Sequence, residues 1–151
     1  WKQLQATVGF SYIGRYNSLS ADKQYKNDNL PAFVWGTEIN SNIMYTCKKA
    51  GTSFSLFYKY TGKRPGYQLT QVNNKEVVQL TKMSDFNWAD FTVSNNIIKY
   101  LTLSCGVKNI FNVNDVSNTS SSGGIHSSAG AVQVSYGRSY FFSLAFQWNR
   151  K

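Results

Sequence analysis

Several residue types are scarce in this chain of 151 residues, and each shortage excludes a class of protein. The only histidine is His126, and the two cysteines, Cys47 and Cys105, have no metal-ligand spacing, so we expect neither a metal nor a cofactor. No run approaches the ~18 consecutive apolar residues of a transmembrane helix. The two prolines, Pro31 and Pro65, lie outside the alternating segments described below, as strand pairing requires.

Acidic residues are also few, since 7 of them stand against 16 basic residues and leave a formal charge of +9. This excess raises the question of nucleic-acid binding. The basic residues are scattered, however, and the only adjacent pairs are Lys48-Lys49, Lys63-Arg64 and Arg150-Lys151. A binding stripe clusters its charges, so we expect no nucleic-acid partner. The chain begins at Trp1 with neither an initiator Met nor a signal peptide, which suggests a processed chain or a piece of a longer one.

Alternation of apolar and polar residues is the dominant pattern and predicts an all-β fold. Six strands are predicted, within about 3–16, 33–47, 53–61, 89–94, 101–108 and 139–148. Every charge within the strand bodies falls on the polar side of the alternation, and we interpret these five residues as facing a lumen: Arg15, Glu38, Lys59, Asp90 and Lys108. The last strand predicts a lipid-facing stripe of Tyr140, Phe142, Leu144, Phe146 and Trp148, with Phe141 on the opposite side.

The connections between these strands alternate in length. Three are long, at about 17–31, 63–87 and 112–138, and two are tight turns, at Lys48–Gly51 and around Ile98-Lys99. Outer-membrane barrels combine long external loops with short periplasmic turns, whereas three such loops are unusual in a compact soluble domain. Aromatic residues also gather towards the strand ends, as in membrane-interface girdles. Together these features predict an antiparallel transmembrane β-barrel segment.

Three stretches resemble the C-terminal end of a TonB-dependent outer-membrane receptor, in a style most like receptors of the Bacteroides group. NWADFTVSNNIIKYLTLSCGVKNIF (87–111) is similar to the penultimate hairpin of that family, whose closing Asn-Leu-Phe-Asp-like motif reads Asn109-Ile110-Phe111-Asn112 here. GRSYFFSLAFQW (137–148) resembles the closing strand, and FSLFYKYTGKRPGYQL (54–69) resembles an earlier strand with its external loop.

This resemblance implies a 22-stranded barrel, of which residues 1–151 would supply about six C-terminal strands without the plug domain. It implies active transport of a siderophore, haem, cobalamin or similar nutrient across a Gram-negative outer membrane. The expected partners are outer-membrane lipid, the N-terminal plug, the remaining barrel strands, the small nutrient and, through the plug, a TonB-type energy-coupling complex. We therefore expect a fragment, or a chain that depends on missing partner strands.

Six residues of the long connections are candidates for external ligand contact, although a solvated or locally packed role is the alternative for each: Tyr25, Lys63, Arg64, Tyr67, Phe86 and His126. No catalytic site is expected, because nothing nucleophilic or proton-relaying accompanies Glu38 and Asp90. The protein is therefore not expected to be an enzyme. Two other classes stay open: a small non-transport outer-membrane barrel, and a soluble basic all-β binding module.

Overall fold

The computed structural model describes residues 3–22, 24, 30–118 and 130–148. These residues form ten strands: β1 Leu4–Tyr16, β2 Phe33–Cys47, β3 Thr52–Thr61, β4 Arg64–Val72, β5 Lys75–Met83, β6 Phe86–Ile98, β7 Leu101–Lys108, β8 Asp115–Asn118, β9 Gly130–Gln133 and β10 Ser139–Phe146. A 3-10 turn lies at Ser18–Ala21. None of the described residues belongs to a helix long and apolar enough to cross a membrane. The prediction of an all-β fold is confirmed.

Six of the strands form one antiparallel sheet in the order β1-β2-β3-β6-β7-β10. These are the six segments that the alternation predicts, although β6 is longer at both ends than the predicted 89–94. Within the described residues β1 and β10 each have one unpaired edge, so the sheet is open. The antiparallel arrangement follows from the tight turns at Lys48–Gly51 and Lys99–Tyr100, which return the chain beside itself.

The pairing register collects the apolar residues of all six strands on one face of this sheet. Direct partners in an antiparallel pair share a face, and one row runs across all six strands through Leu4, Tyr45, Phe54, Val93, Cys105 and Phe142. The next row contains Ala6, Ile43, Leu56, Phe91, Val107 and Tyr140. We call this side the apolar face. No strand residue of the described sheet carries a formal charge on it.

The apolar face is uncovered. Only Ala89 and Val116 are buried apolar residues in the described part of the chain, so there is no hydrophobic core of the globular kind. On β1, Val8 is 73% exposed and Phe10 is 69% exposed, and Tyr140 on β10 is 74% exposed. Soluble monomers rarely expose a contiguous apolar surface of this extent.

The strands are staggered stepwise across the sheet. At the end of the sheet with the long connections, β1 extends from Leu4 to Tyr16, whereas β7 extends from Cys105, in the same row as Leu4, only to Lys108. At the end with the tight turns, β1 stops at Leu4, whereas β10 continues past Phe142 of that row to Phe146. A stagger of one to two residues per strand corresponds to a tilt of about 30–50°, from a rise of ~3.3 Å and a strand spacing of ~4.8 Å. Strands of barrels tilt by a similar angle, about 35–45°.

The long connections contain structure that the sequence prediction missed. Residues 63–87 were predicted as a long connection between two strands of the sheet, and this connection contains the β4–β5 hairpin. Its turn is the pair Asn73-Asn74, with φ of 52° and 59°, which suits a two-residue hairpin turn with positive φ at both positions. A single pair, Met83 with Asn118, joins this hairpin to β8 and β9 in a second sheet.

Candidate ligand-contact surface on the polar face

Strands β2, β3 and β6 arrange nine residues in three rows on the face opposite the apolar one, which we call the polar face. The rows are Asn42, Phe57 and Asp90; Asn40, Lys59 and Trp88; and Glu38, Thr61 and Phe86. We call these nine positions the polar grid. The grid lies at the end of the sheet that carries the long connections, because β3 ends and β6 begins beside its last row. It combines carboxylates, amides, an ammonium group and three aromatic rings.

Glu38 connects the grid to the β4–β5 hairpin through an ion pair with Arg64 and also pairs with Lys59 within the grid. Its carboxylate lies 3.0 Å from Nζ of Lys59 and accepts a hydrogen bond of 2.6 Å from Nη2 of Arg64, the first residue of β4. The three side chains are partly exposed, so each pair contributes about 1 kcal/mol or less. Their greater effect is geometric, since they hold the start of the β4–β5 hairpin over the polar face.

Three aromatic residues of the grid line an open cavity. Phe57, Phe86 and Trp88 surround it together with Lys59, Thr61, Arg64 and Val134, and its volume is about 270 Å³. This volume is close to the lower end of small-molecule sites, about 300 Å³. Nε1 of Trp88 donates to Oδ1 of Asp90 at 2.8 Å, which fixes the orientation of the indole. Such a cavity can hold a ring against apolar walls while polar groups orient it.

Thr61 adds an unusual polar group beside this cavity. The residue is 1% exposed, and its Oγ1 has no hydrogen-bond partner among the described residues. A buried hydroxyl without a partner costs roughly 1–3 kcal/mol. Functional sites are one place where such a cost is found.

The six candidate contact residues of the long connections have different positions. Arg64 and Phe86 both line the cavity. Lys63 is exposed in the link between β3 and β4, and Tyr67 is half-buried on β4 opposite Leu80. Tyr25 and His126 lie outside the described residues. The structure therefore brings two of the six together at one place.

Sequence reasoning did not single out Phe57, Thr61 and Trp88, which line the same cavity. The sequence contained a signal for two of them. Phe57 lies two positions from Lys59, and Trp88 lies two positions from Asp90, so each ring is on the charged side of its strand. Large aromatic rings on the charged side of a strand do not belong to the apolar stripe.

The five charges predicted to face a lumen all lie on the polar face. Arg15 and Glu38 line a small pocket beneath Pro65, and Lys59 pairs with Glu38. Lys108 places its Nζ 5.6 Å from the ring centroid of Phe141. Asp90 accepts hydrogen bonds from Trp88 and from the backbone N–H of Asn109.

Asn109 forms the centre of a polar cluster where β7 ends. The residue is completely buried, and its backbone N–H donates to Oδ1 of Asp90 at 2.8 Å. Its side chain donates to the carbonyl of Val113 at 2.8 Å and accepts from the N–H of the same residue at 2.9 Å. Its φ of 54° is left-handed, a conformation that asparagine tolerates better than most residues. The buried polar groups of this turn are thus satisfied locally.

Arg138 joins this turn to the start of β10. Its backbone N–H donates to Oδ1 of Asn112 at 2.9 Å, and its guanidinium donates to the carbonyl of Ile110 at 3.1 and 2.5 Å. We call Asp90, Asn109, Ile110, Asn112 and Arg138 the rim junction. It unites the Asn109–Asn112 motif with the Gly137-Arg138 pair, which are two of the stretches that resemble the receptor family.

The last strand presents its aromatic residues on the apolar face. Tyr140, Phe142, Leu144 and Phe146 all pair with apolar-face residues of β7. Trp148 follows the strand, is 78% exposed and has its ring centroid 6.3 Å from that of Phe146. Phe141 pairs with Gly106 on the polar face, where its ring occupies the space that a Cβ of the glycine would need.

Both cysteines are free. Cys47 lies on β2 and Cys105 on β7, and the order of the sheet places β3 and β6 between them. Among the described residues no group of three or more His, Cys, Asp and Glu side chains is placed to hold a metal ion.

Comparison with known proteins gives no relative: no protein-family model, no curated protein and no solved structure matches the chain. A functional proposal therefore rests on the geometry of the two faces and on the motifs of the sequence.

Proposed function

We propose that this chain supplies C-terminal strands of the barrel of a TonB-dependent outer-membrane receptor, with lipid against the apolar face and a lumen on the polar face. The uncovered, charge-free apolar face across six staggered strands carries the proposal. A soluble sandwich would bury that face against a second sheet. Here the second sheet is built from the long connections, and the apolar face stays exposed.

The polar face suits a water-filled or plugged interior. Its grid holds amides, paired charges and three rings, and its cavity opens towards the long connections. In the proposed barrel these groups form the lumen wall and contact a nutrient such as a siderophore, haem or cobalamin on its way inward. Arg64 and Phe86 belong to that contact surface. Energy for transport reaches the barrel through the plug and its coupling complex.

The rim junction supports the family assignment in particular. Residues 109–112 and 137–138 are the motif positions on which the resemblance depends, and their hydrogen bonds to each other give both stretches a shared structural role. A non-transport barrel needs the same lipid face, so the junction and the grid are the features that favour a receptor.

Cell fractionation of the intact protein tests the membrane part of this proposal. We expect it to sediment with outer membranes and to require detergent for release, because the apolar face is stable only in lipid or detergent. A folded, monodisperse β protein in detergent-free buffer would rule the proposal out.

A matched pair of tryptophan variants tests the transport part. Trp88→Ala removes a ring from the grid, whereas Trp35→Ala removes a ring from the apolar face. Nutrient-limited growth on haem, cobalamin or siderophore measures uptake. We expect Trp88→Ala to weaken capture of the transported nutrient about three- to tenfold, the range of an aromatic contact, and Trp35→Ala to leave it unchanged at equal protein levels. Equal uptake by both variants with all three nutrients would contradict the assignment of the grid.

A further inference from the structure

The end of the sheet with the short turns carries a cluster of lysines. Lys48 and Lys49 are exposed in the turn between β2 and β3, and Lys99 is exposed in the turn between β6 and β7. The two turns are adjacent, since the N–H of Asn96 donates to the carbonyl of Gly51 at 3.0 Å. We call the three residues the lysine rim.

The acidic residues among those described lie towards the opposite end of the sheet, where the long connections are. They belong either to the long connections or to the strand halves next to them: Asp22, Glu38, Glu76, Asp85, Asp90 and Asp115. The described residues therefore offer the lysine rim no carboxylate at its own end. An anionic partner for these ammonium groups must come from outside the described residues.

Aromatic rings border the lysine rim on the apolar face. Tyr45 and Phe54 lie with ring centroids 6.4 Å apart, and Trp148 follows the end of β10. Nζ of Lys99 lies 5.4 Å from the ring centroid of Tyr100. Aromatic residues of membrane proteins concentrate at headgroup level, and lysines beside them extend their ammonium groups into the same layer.

We infer that the lysine rim binds the phosphate of anionic phospholipids in the leaflet beside the short turns. This inference rests on the proposed membrane location but not on transport. An anionic phospholipid fits because its acyl chains would cover the apolar face while its charge meets the three ammonium groups. A surface attraction of this kind strengthens binding by roughly fivefold per lysine and weakens with salt.

Lipid titration of the intact protein in neutral detergent micelles tests the inference. Fluorescent phosphatidylglycerol is the probe, and fluorescent phosphatidylcholine is its neutral counterpart. We expect the protein to prefer phosphatidylglycerol, and K48Q/K49Q to lower that preference by more than about tenfold. K63Q/K75Q removes the same charge from the end with the long connections and should keep the preference. Folding of each variant is checked by heat-dependent gel mobility, and K48R/K49R should restore binding if K48Q/K49Q is folded.

Three results would overturn the inference. These are equal affinity for the two lipids, the same loss in K63Q/K75Q as in K48Q/K49Q, and displacement of the lipid by millimolar glycerol phosphate, which would assign the rim to a free anion. Failure of the membrane proposal looks different, because the protein would then stay folded and dispersed without detergent.

Discussion

Leu56 offers the sharpest test of which face contacts lipid. It lies in the middle of the ten-residue β3, between Ile43 and Phe91 on the apolar face. In the proposed membrane barrel, four to five residues on either side, at a rise of ~3.3 Å and a tilt of about 40°, place it roughly 10–13 Å from each end of the strand along the membrane normal. An apolar band about 25 Å tall therefore has Leu56 close to its midplane.

Arginine at this position should cost the full midplane penalty, about 2–4 kcal/mol in the free energy of unfolding. Ser55, the preceding residue, points to the polar face, and its hydroxyl donates only a long hydrogen bond of 3.5 Å to Oδ1 of Asn42. Ser55→Arg adds the same charge to the same strand on the other side, and we expect it to cost no more than about 1 kcal/mol.

Denaturant unfolding of the intact protein in lipid vesicles measures both variants, with heat-dependent gel mobility as the check on insertion. The reasoning fails if the two arginines have equal effects, because depth, strand and charge are matched and only the face differs. A larger cost for Ser55→Arg would place lipid on the polar face.

Two further predictions concern the junction between β7 and β10. Gly137 has φ of 88°, and a Cβ there would lie 2.5 Å from the nearest side-chain oxygen, so Gly137→Ala should lower the free energy of unfolding by about 1–3 kcal/mol. The control is Gly9→Ala, where a Cβ meets nothing within 4 Å, and it should change the free energy of unfolding by less than about 0.5 kcal/mol. Equal effects of the two variants would contradict backbone and steric strain at residue 137. Asp90→Ala removes the acceptor of the buried Asn109 N–H and should cost about 1–3 kcal/mol. The same denaturation assay should find a clearly smaller loss for the exposed Asp85→Ala, and a similar loss would contradict the role of the buried acceptor.

Alternation was sufficient to predict the six-stranded sheet and its two faces. Each of these strands has one polar side, which carries the charges, and one side without charge. The odd or even position of a residue is therefore enough to assign Glu38 and Ile39 to opposite faces of the sheet, and likewise Lys59 and Tyr60. The two tight turns then fix β2 beside β3 and β6 beside β7, whereas the other three pairs are joined by long connections. Sequence reasoning works well here because the same physical constraint acts on every second residue.

The β4–β5 hairpin was not predicted, because both of its faces meet water and its alternation is weak. Leu69 on one face and Val77 on the other, for example, are both exposed. Its strongest local signal was Asn73-Asn74, a turn pair that needs two left-handed residues. Contacts such as Arg64 with Glu38 join residues 26 positions apart, and they depend on where this hairpin folds back.

The polar grid could not be predicted from the sequence, because it depends on the pairing register between strands, which composition does not provide. Trp88 faces Lys59 because β3 and β6 pair at that offset after a connection of more than twenty residues. Sequence placed Phe86 and Arg64 among the candidates but left out Phe57, Thr61 and Trp88, which complete the cavity.

The rim junction has a consequence for the alignment of the last strand. Arg138 is anchored to Ile110 and Asn112 one residue before β10 begins, which fixes Ser139 opposite Lys108. A slip of one residue would turn every side chain of β10 to the wrong side. Phe141 opposite Gly106, two residues later, is a second constraint on this register, because the ring fits only where its partner has no side chain. The alignment of β10 is thus fixed at two points near its start.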